Sequence, residues 1–342
     1  NTQGTNDDVL VQSTVTSTQS GAPGQYNFKI CNSGNYYVKF PTSTNANNTL
    51  TTQTTTAGTD NNSDANTSNG MSPVFTINTA GTGVAKNNPT IDAGFVSYLS
   101  LGNQVWIDAD RDGIKDAGES GLAGATVYLY ADANNDGSPD GPAVASTSSN
   151  SSGYYVFNNL LQGNYIVGVV PPSPASGNPY SSSPVNETNP NSNVDNNDNG
   201  VTTTAGQTYS GTINLTPGAE PLGETPNNGT ATDANSNLTL DFGFYQPVNV
   251  SGNVYVDNNG PTNVDGTGTG TAGTTQLYAN LVGPNGNVVA SVPVNSNGTY
   301  QFNDVAPNTT YTMVLSTTPG TVGNPAPSTT LPSGWSNVSE DC

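Results

Sequence analysis

The sequence predicts an all-β protein made of small sandwiches in series, and three observations carry that prediction. Apolar residues come in short alternating runs, among them Tyr26-x-Phe28, Val127-x-Leu129, Tyr165-x-Val167-x-Val169 and Tyr300-x-Phe302. Period-two alternation bounded by Gly, Asn and Pro clusters is the pattern of half-buried strands. No stretch of useful length spaces its apolar residues as a helix does. The chain also repeats itself over distances that fit whole domains rather than short solenoid turns.

The repeat is legible residue by residue. Gly24, Tyr26, Phe28, Gly34, Tyr36 and Val38 recur as Gly153, Tyr155, Phe157, Gly163, Tyr165 and Val167, each pair 129 positions apart (153 − 24, 167 − 38). A looser third copy reads Gly298-Thr-Tyr300-Gln-Phe302 and then Tyr311-Thr-Met313-Val-Leu315. Ile91-Asp92-Ala-Gly94-Phe95 returns as Leu240-Asp241-Phe-Gly243-Phe244, 149 positions on (240 − 91). Gly102-Asn-Gln-Val105-Trp106-Ile107-Asp108 is echoed by Gly252-Asn-Val254-Tyr255-Val256-Asp257. Each closing Asp-x-Gly-Phe stands just before an opening Gly-Asn, so the joins fall near residues 96–100 and 246–248. The expected units are therefore 1–98, incomplete; 99–246, complete; and 247–342, with a degenerate acidic loop and no closing strand. Joins this short, one stiffened by Pro247, favour a semi-rigid rod over a flexible string.

Within the complete unit, alternation and turn residues place strands at about 101–107, 123–130, 143–148, 153–157, 163–170, 207–215 and 238–245. Between 170 and 207 runs a long polar stretch holding Asp195-Asn-Asn-Asp198, and its counterpart in the first unit holds Asp60-Asn-Asn-Ser-Asp64. Loops of that length are usually functional or tied down. The recurring acidic pairs suggest a cation as the tie.

Charge narrows the function classes. The chain has 25 acidic residues, 5 basic residues and no His, for a net charge of −20. Phosphate backbones and anionic membranes are held by clustered Lys and Arg, so neither nucleic acid nor a membrane surface is an expected partner. No apolar run long enough to span a membrane is present. Divalent cations are the natural counter-ions. Enzyme chemistry is not expected either: there is no His, neither Cys sits in a basic setting, and no glycine-rich phosphate loop opens a helix.

The stretch after the first strand of the complete unit carries the sharpest chemistry. Counting Asp108 as position 1, carboxylates fall at positions 1, 3, 5, 9 and 12 (Asp108, Asp110, Asp112, Asp116, Glu119), with Gly113 at position 6 and the carbonyl of Ile114 at position 7. That is the ligand spacing of an EF-hand-type calcium loop, where alternate side chains point inward and a late Glu closes the site. Four Asp and a Glu in twelve residues also repel one another without a counter-ion. Strands rather than helices flank the loop, and Lys115 takes position 8, so calcium here is structural and not a sensor's. A second loop offers Asp132, Asn134, Asp136, the carbonyl of Ser138 and Asp140, with Gly137 at position 6. Its position 12 is Ala143, and Asp195 or Asp198 is the expected substitute for the missing Glu. Asp60 and Asp64 are further candidate ligands. The third unit's loop, Asp257 to Asp265, has Pro261 at position 5 and no closing Glu, so turns rather than calcium are expected to hold it.

Taken together, these residues carry a family resemblance. Gly102-Asn-x-Val105-Trp106-x-Asp108, then Asp112-Gly113, Asp116-x-Gly118-Glu119-x-Gly121-Leu-x-Gly124-x-x-Val127-x-Leu129, then Gly153-x-Tyr155-x-Phe157-x-x-Leu160, then Leu240-Asp241-x-Gly243-Phe244 resemble a B-type repeat of the serine-aspartate-repeat surface proteins, the SdrD B-like and Cna B-type families. The match runs almost end to end through the complete unit and partially through the others. It implies a prealbumin-like, Greek-key, Ig-like sandwich in an extended rod, Ca2+ in the acidic loops, and a stalk on a bacterial cell surface. The Asn- and Thr-rich style is similar to large repetitive surface proteins of Bacteroidota. Relatives can carry a Lys–Asn isopeptide bond. Here the third unit has no Lys and the complete unit only Lys115, inside the acidic loop, which excludes the bond in both.

The expected role is thus a calcium-rigidified extracellular stalk, with neighbouring repeats as its partners and an unknown protein or glycan as the distal ligand. Head-to-tail filament assembly by strand addition, and a glycan- or protein-binding module, are the alternatives. Cys31 aligns with Leu160 and Val305 and is expected to be a small buried hydrophobe. The alternative is a bond from Cys31 to Cys342 of the next molecule.

Overall fold

A computed structural model describes residues 4, 8–19, 22–44, 48–54, 62–185, 187–192, 194–226, 228–257 and 266–337. They form strands, turns and two short 3-10 turns, with no α-helix among the described residues. No helix among them is long and apolar enough to cross a membrane.

The best-formed sandwich lies at 99–245. One layer is a six-stranded sheet ordered Ala145–Ser148, Thr126–Ala131, Gly163–Val170, Gln207–Ser210 and Gly200–Thr204, with Ile213–Leu215 also pairing to Gly163–Val170. Alternation sets its faces as the sequence predicts. Val127 pairs with Val169 and Leu129 with Val167, all four fully buried, while Tyr128 and Tyr130 point to the outer face. The opposing layer is built from Leu99–Leu101 and Val105–Ile107, which run parallel to Ser236–Asn237 and Phe242–Tyr245. Between these pieces the ladder continues through Gly102 N–H to Asn237 O, Leu240 N–H to Gly102 O and Phe242 N–H to Gln104 O, each 2.9 Å. First and last strands of the unit are thus direct parallel neighbours. Between the layers, Leu99, Leu101, Val105, Val127, Leu129, Val167, Val169, Ile213, Phe242 and Phe244 form one continuous core. Each such side chain, removed from water, stabilises the fold by about 1.5–3 kcal/mol before entropy is counted.

Two glycines of the repeat pattern are sterically required. Gly153 has φ 81°, and a Cβ there would lie 2.1 Å from the carbonyl oxygen of Val105. A Cβ on Gly243 would lie 2.8 Å from the Trp106 ring, which is fully buried.

The strands differ from expectation in several places; the predicted 238–245 strand, for one, is confined to Phe242–Tyr245. The predicted 153–157 strand instead runs Phe157–Leu160; ahead of it the chain pairs through an isolated bridge between Tyr154 and Gln104 and the bond from Tyr155 N–H to Asn103 O (2.8 Å). The predicted 101–107 strand is split at 102–104, and 207–215 is split at 211–212. Ser181–Ser182 and Gly200–Thr204 are strands inside the polar stretch; with no apolar alternation, they left no periodic signal.

The third unit repeats the scaffold. Val254 N–H bonds to Gly298 O at 2.8 Å, as Val105 N–H bonds to Gly153 O at 2.9 Å. Its core gathers Ala279, Leu281, Val294, Phe302 and Val305, with Trp335 packed against it. Among the described residues the first unit has paired short strands, such as Gly34–Tyr36 with Phe75–Ile77 and Asn48–Leu50 with Phe95–Ser97. Cys31 corrects the expectation of burial: it is exposed and free. It lies between the strands Ala22–Gln25 and Gly34–Tyr36, so no sheet imposes alternation on it. Cys342 lies outside the described residues.

Candidate metal centre

The first acidic loop hangs from the strand Val105–Ile107 and starts on a buried carboxylate. Asp108 continues the parallel ladder through its N–H to Phe244 O (2.8 Å) and is fully buried. Its Oδ1 accepts from the amides of Arg111 (2.6 Å) and Asp112 (3.3 Å), and its Oδ2 from Gly113 (3.0 Å). Left-handed backbone at Arg111 (φ 65°) and Gly113 (φ 78°) makes the turn. Asp112 Oδ1 caps Ile114 N–H at 2.8 Å. Glu119 reaches back across the loop: Oε1 accepts from Ala109 N–H (2.6 Å) and Oε2 from Asp116 N–H (3.0 Å). Lys115 braces the same turn, its ammonium donating to the carbonyls of Glu119 (2.7 Å) and Asp116 (3.3 Å).

Within this frame the carboxylates of Asp108, Asp110 and Asp112 gather with ligand oxygens within 4.8 Å of one another. The Glu119 carboxylate is bound to the loop's own backbone, with the Asp116 amide among its donors. Partial burial, and then the charges of Asp112, Asp108 and Asp116, push the Asp110 carboxyl above its ordinary range. Burial also raises Glu119, opposed by the amides of Ala109 and Asp116.

A distant segment completes the surroundings. Asp195–Asn199 is threaded between the acidic loop and the last strand. Lys115 N–H bonds to Asn196 O and Asp198 N–H to Gly113 O, both 2.8 Å. On the other side Asp198 Oδ1 accepts from Gly243 N–H at 3.0 Å and Gly200 N–H at 3.2 Å. Its Oδ2 is buried and has no hydrogen-bond partner among the described residues. Burial pushes Asp198 well above the ordinary carboxylate range, and the nearby charge of Asp108 adds to the rise.

Comparing the repeats shows what this carboxylate adds. In the first unit, Ser63 Oγ accepts from Gly94 N–H (3.3 Å), as Asp198 Oδ1 accepts from Gly243 N–H. Asp64 exchanges hydrogen bonds with Asp92 (Asp64 N–H to Asp92 O 2.7 Å; Asp92 N–H to Asp64 Oδ2 2.8 Å), as Asn199 does with Asp241 (2.9 and 2.8 Å). Asp64 is therefore the counterpart of Asn199, and Ser63 that of Asp198. A hydroxyl suffices to hold the last strand. The second, free oxygen of Asp198 is surplus to that task and occurs beside an acidic loop. Asp60 lies outside the described residues.

Asp195 faces Asp241, and sequence reasoning used Asp241 only as a repeat marker. Asp241 is buried; its Oδ1 accepts from Gln104 N–H and its Oδ2 from Asn196 N–H, both 2.9 Å. Burial, and then the charge of Asp195, hold Asp241 well above the ordinary range; burial raises Asp195 too.

The second loop has the same backbone frame but closes differently. Buried Asp132 accepts from the amides of Asp136 (3.1 Å) and Gly137 (3.2 Å), and from the Thr212 hydroxyl. Asp136 accepts from Ser138 N–H (2.9 Å) and from the Asn134 side chain (3.0 Å). Asp140 takes the part that Glu119 plays in the first loop, accepting from Ala133 N–H at 2.7 Å. Of the two residues expected as substitutes for the missing Glu of this loop, Asp198 pairs with the first loop and Asp195 faces Asp241, while Asp140 supplies the closure three positions early. Among the described residues, the carboxylates of this loop are not gathered as those of the first are. In the third unit, Asp257 ends a strand paired with Gly266–Gly268, and residues 258–265 lie outside the described residues.

The profile of the SdrD B-like domain matches residues 4–95 and 99–219. Serine-aspartate repeat-containing protein F of Staphylococcus epidermidis is 30% identical over 294 residues, covering 85% of this chain and 15% of that protein. Serine-aspartate repeat-containing protein D of Staphylococcus aureus (strain Newman) is 32% identical over 302 residues, covering 87% and 19%. The chain thus spans under a fifth of the length of these relatives. Among solved structures, the shaft pilin SpaA of Lactobacillus rhamnosus GG aligns over 65% of this chain and 88% of its own at 12% identity and TM-score 0.24. The Bacillus anthracis TIE protein aligns over 88% of this chain and 39% of its own at 11% identity and TM-score 0.30. With the family profile matching more than half of its length, the chain belongs to the SdrD B-like domain family.

Proposed function

We propose that this chain is a calcium-stiffened spacer segment of an extracellular bacterial surface protein, without catalytic activity of its own. The observation that carries the reading is the gathering of the Asp108, Asp110 and Asp112 oxygens, with the buried Asp198, whose Oδ2 is unpartnered, near enough to feel the charge of Asp108. Burying an ionised carboxylate with one oxygen unpaired is costly, and a cation relieves the cost.

The donor set fits a hard cation, because every candidate ligand is an oxygen. Asp108, Asp110, Asp112, the Ile114 carbonyl, Asp116 and Glu119 would hold calcium, with Asp198 behind them. Asp108 accepts three amide bonds, and an ionised carboxylate offers about four lone-pair positions, so one is left for the ion. Calcium would supply charge neutralisation. The chain's own residues do the rest: Asp108 and Glu119 preform the turn, and Asp198 ties it to the last strand. Neighbouring repeats of the same polypeptide are the proposed partners, and the staphylococcal relatives support the surface location.

Thermal melting of the metal-depleted chain with and without added calcium tests the reading. Calcium should raise the midpoint of the transition that contains Trp106. An unchanged midpoint at millimolar calcium removes the metal from the account.

One observation favours a second reading, a glycan-binding face. Tyr128, Tyr130 and Tyr209 cluster on the outer face of the six-stranded sheet, with ring centroids 6.4 and 5.9 Å apart. Gln207 lies among them, donating to the Tyr130 hydroxyl at 3.0 Å and accepting from Tyr209 at 3.1 Å. Half-buried rings with a polar amide suit the face of a sugar. Glycan-array binding that disappears in Tyr130→Ala, with calcium response intact, would favour it.

A further inference from the structure

The first acidic loop has a second set of contacts that its role within its own unit does not explain. Two of its residues touch the third unit. The Ala109 carbonyl accepts from the Asn308 side-chain amide at 3.2 Å. Arg111 Nη1 donates to the Asp304 carbonyl at 3.4 Å, and the guanidinium lies 4.4 Å over the centroid of the Tyr245 ring. The Tyr245 hydroxyl then donates to Asp304 Oδ1 at 2.7 Å. Asp304 and Asn308 both have left-handed backbone (φ 60° and 56°), so a tight turn of the third unit is what meets the loop. On the other flank, Asn178 Nδ2 donates to the carbonyl of Pro247 at 2.9 Å.

These loop residues are the same two whose amides the candidate ligands hold. Ala109 N–H is bound by Glu119 and Arg111 N–H by Asp108, each at 2.6 Å. Whatever orders Asp108 and Glu119 therefore orders the surface that receives the third unit. We infer that the first acidic loop is the seat for the next repeat, so that cation capture and stiffening of the second joint are one coupled equilibrium. The metal half of this inference rests on the calcium reading above; the seat does not.

The first joint lacks the parts. By the repeat register Val96 stands where Tyr245 does (245 − 149), and Asn159 where Asp304 does (304 − 145). Asn159 has the same left-handed backbone, φ 59°, but Val96 has neither a ring for a guanidinium nor a hydroxyl for Asn159.

The test uses the full chain with Cys31→Ser and Cys342→Ser, and spin labels at Val144→Cys and Val289→Cys, both native positions being exposed. Distance distributions between the labels are read with and without calcium, alongside calcium titration by calorimetry. The challenge is the double variant Tyr245→Phe, Asn308→Gly, which keeps the left-handed turn and touches no candidate ligand. In the parent, calcium should narrow the distribution. In the variant the calcium-bound distribution should broaden, and because coupling is reciprocal, calcium affinity should fall by about fivefold, the low end of ordinary couplings. Superimposable distributions for parent and variant overturn the seat. A broadened variant with unchanged calcium affinity overturns the coupling. A parent that takes up no calcium ends the calcium reading, while the distribution widths still judge the seat on their own.

Discussion

Tyr245, the residue after the last Phe of the complete unit, donates its hydroxyl to Asp304 of the following unit at 2.7 Å, beneath the guanidinium of Arg111. Burial and then this hydrogen bond push the Tyr245 hydroxyl up to about 12.

That value gives a pH test of the joint. A Tyr raised above its ordinary value of about 10 favours the fold while neutral, so its contribution is complete below about pH 10 and is lost as pH rises through the folded value. Absorbance titration should show a late phenolate step near pH 12 that is missing in Tyr245→Phe. A Tyr245→Phe curve identical to the parent's contradicts the contact.

Asp198→Asn should separate the two tasks of that carboxylate. The amide keeps an oxygen for Gly243 and Gly200 and removes the buried charge. Calcium affinity should drop by about tenfold, ~1.4 kcal/mol, while the metal-depleted protein melts at the same temperature or higher. Asp198→Ser, which copies Ser63 of the first unit, should lose affinity likewise. Loss of metal-free stability without loss of affinity would assign Asp198 to the fold alone.

The buried carboxylates set an inverted pH profile for the metal-depleted chain. Asp195 and Asp241 are both raised, so between the ordinary carboxylate range near pH 4 and their folded values the native state binds more protons than the unfolded one. Stability then falls as pH rises through that window. Urea midpoints without metal should be higher at pH 5 than at pH 7.5, and saturating calcium should reverse the order. A metal-free midpoint that climbs with pH refutes the assignment.

Gly153→Ala should be among the most damaging small substitutions. Its Cβ meets the Val105 carbonyl at 2.1 Å in a left-handed backbone, so the hairpin must shift. A loss of about 3 kcal/mol is expected, in the range of cumulative strain and overpacking, read by urea denaturation. Gly206→Ala, with similar φ and nothing within 4 Å, should cost much less.

What the sequence made legible follows from what produces periodic signals. Val127, Leu129, Val167 and Val169 alternate because they cross a two-layer core, and the strands were found from them. The ligand spacing from Asp108 to Glu119 is local, so it too could be read. Asp198 could be suspected, but not its place beside the first loop, because which strand a polar segment threads beside is a matter of long-range pairing. Asp241 was visible only as punctuation. Arg111 and Asp304 carried no signal at all, since each is an ordinary surface residue until the turn of one unit meets the loop of another. Cys31 was misplaced because the repeat register aligns it with Leu160 and Val305, which each end a strand, whereas Cys31 lies in none.

The parallel pairing of first and last strands has a consequence for a chain under tension. Force enters the complete unit near Leu99 and leaves near Tyr245. Because these strands run side by side in the same direction, their pulled ends lie at opposite ends of the ladder. Load is then shared along all its hydrogen bonds in shear, instead of peeling them one at a time. Single-molecule stretching should find this unit breaking at high force in one event, and a stepwise, low-force opening would contradict that geometry.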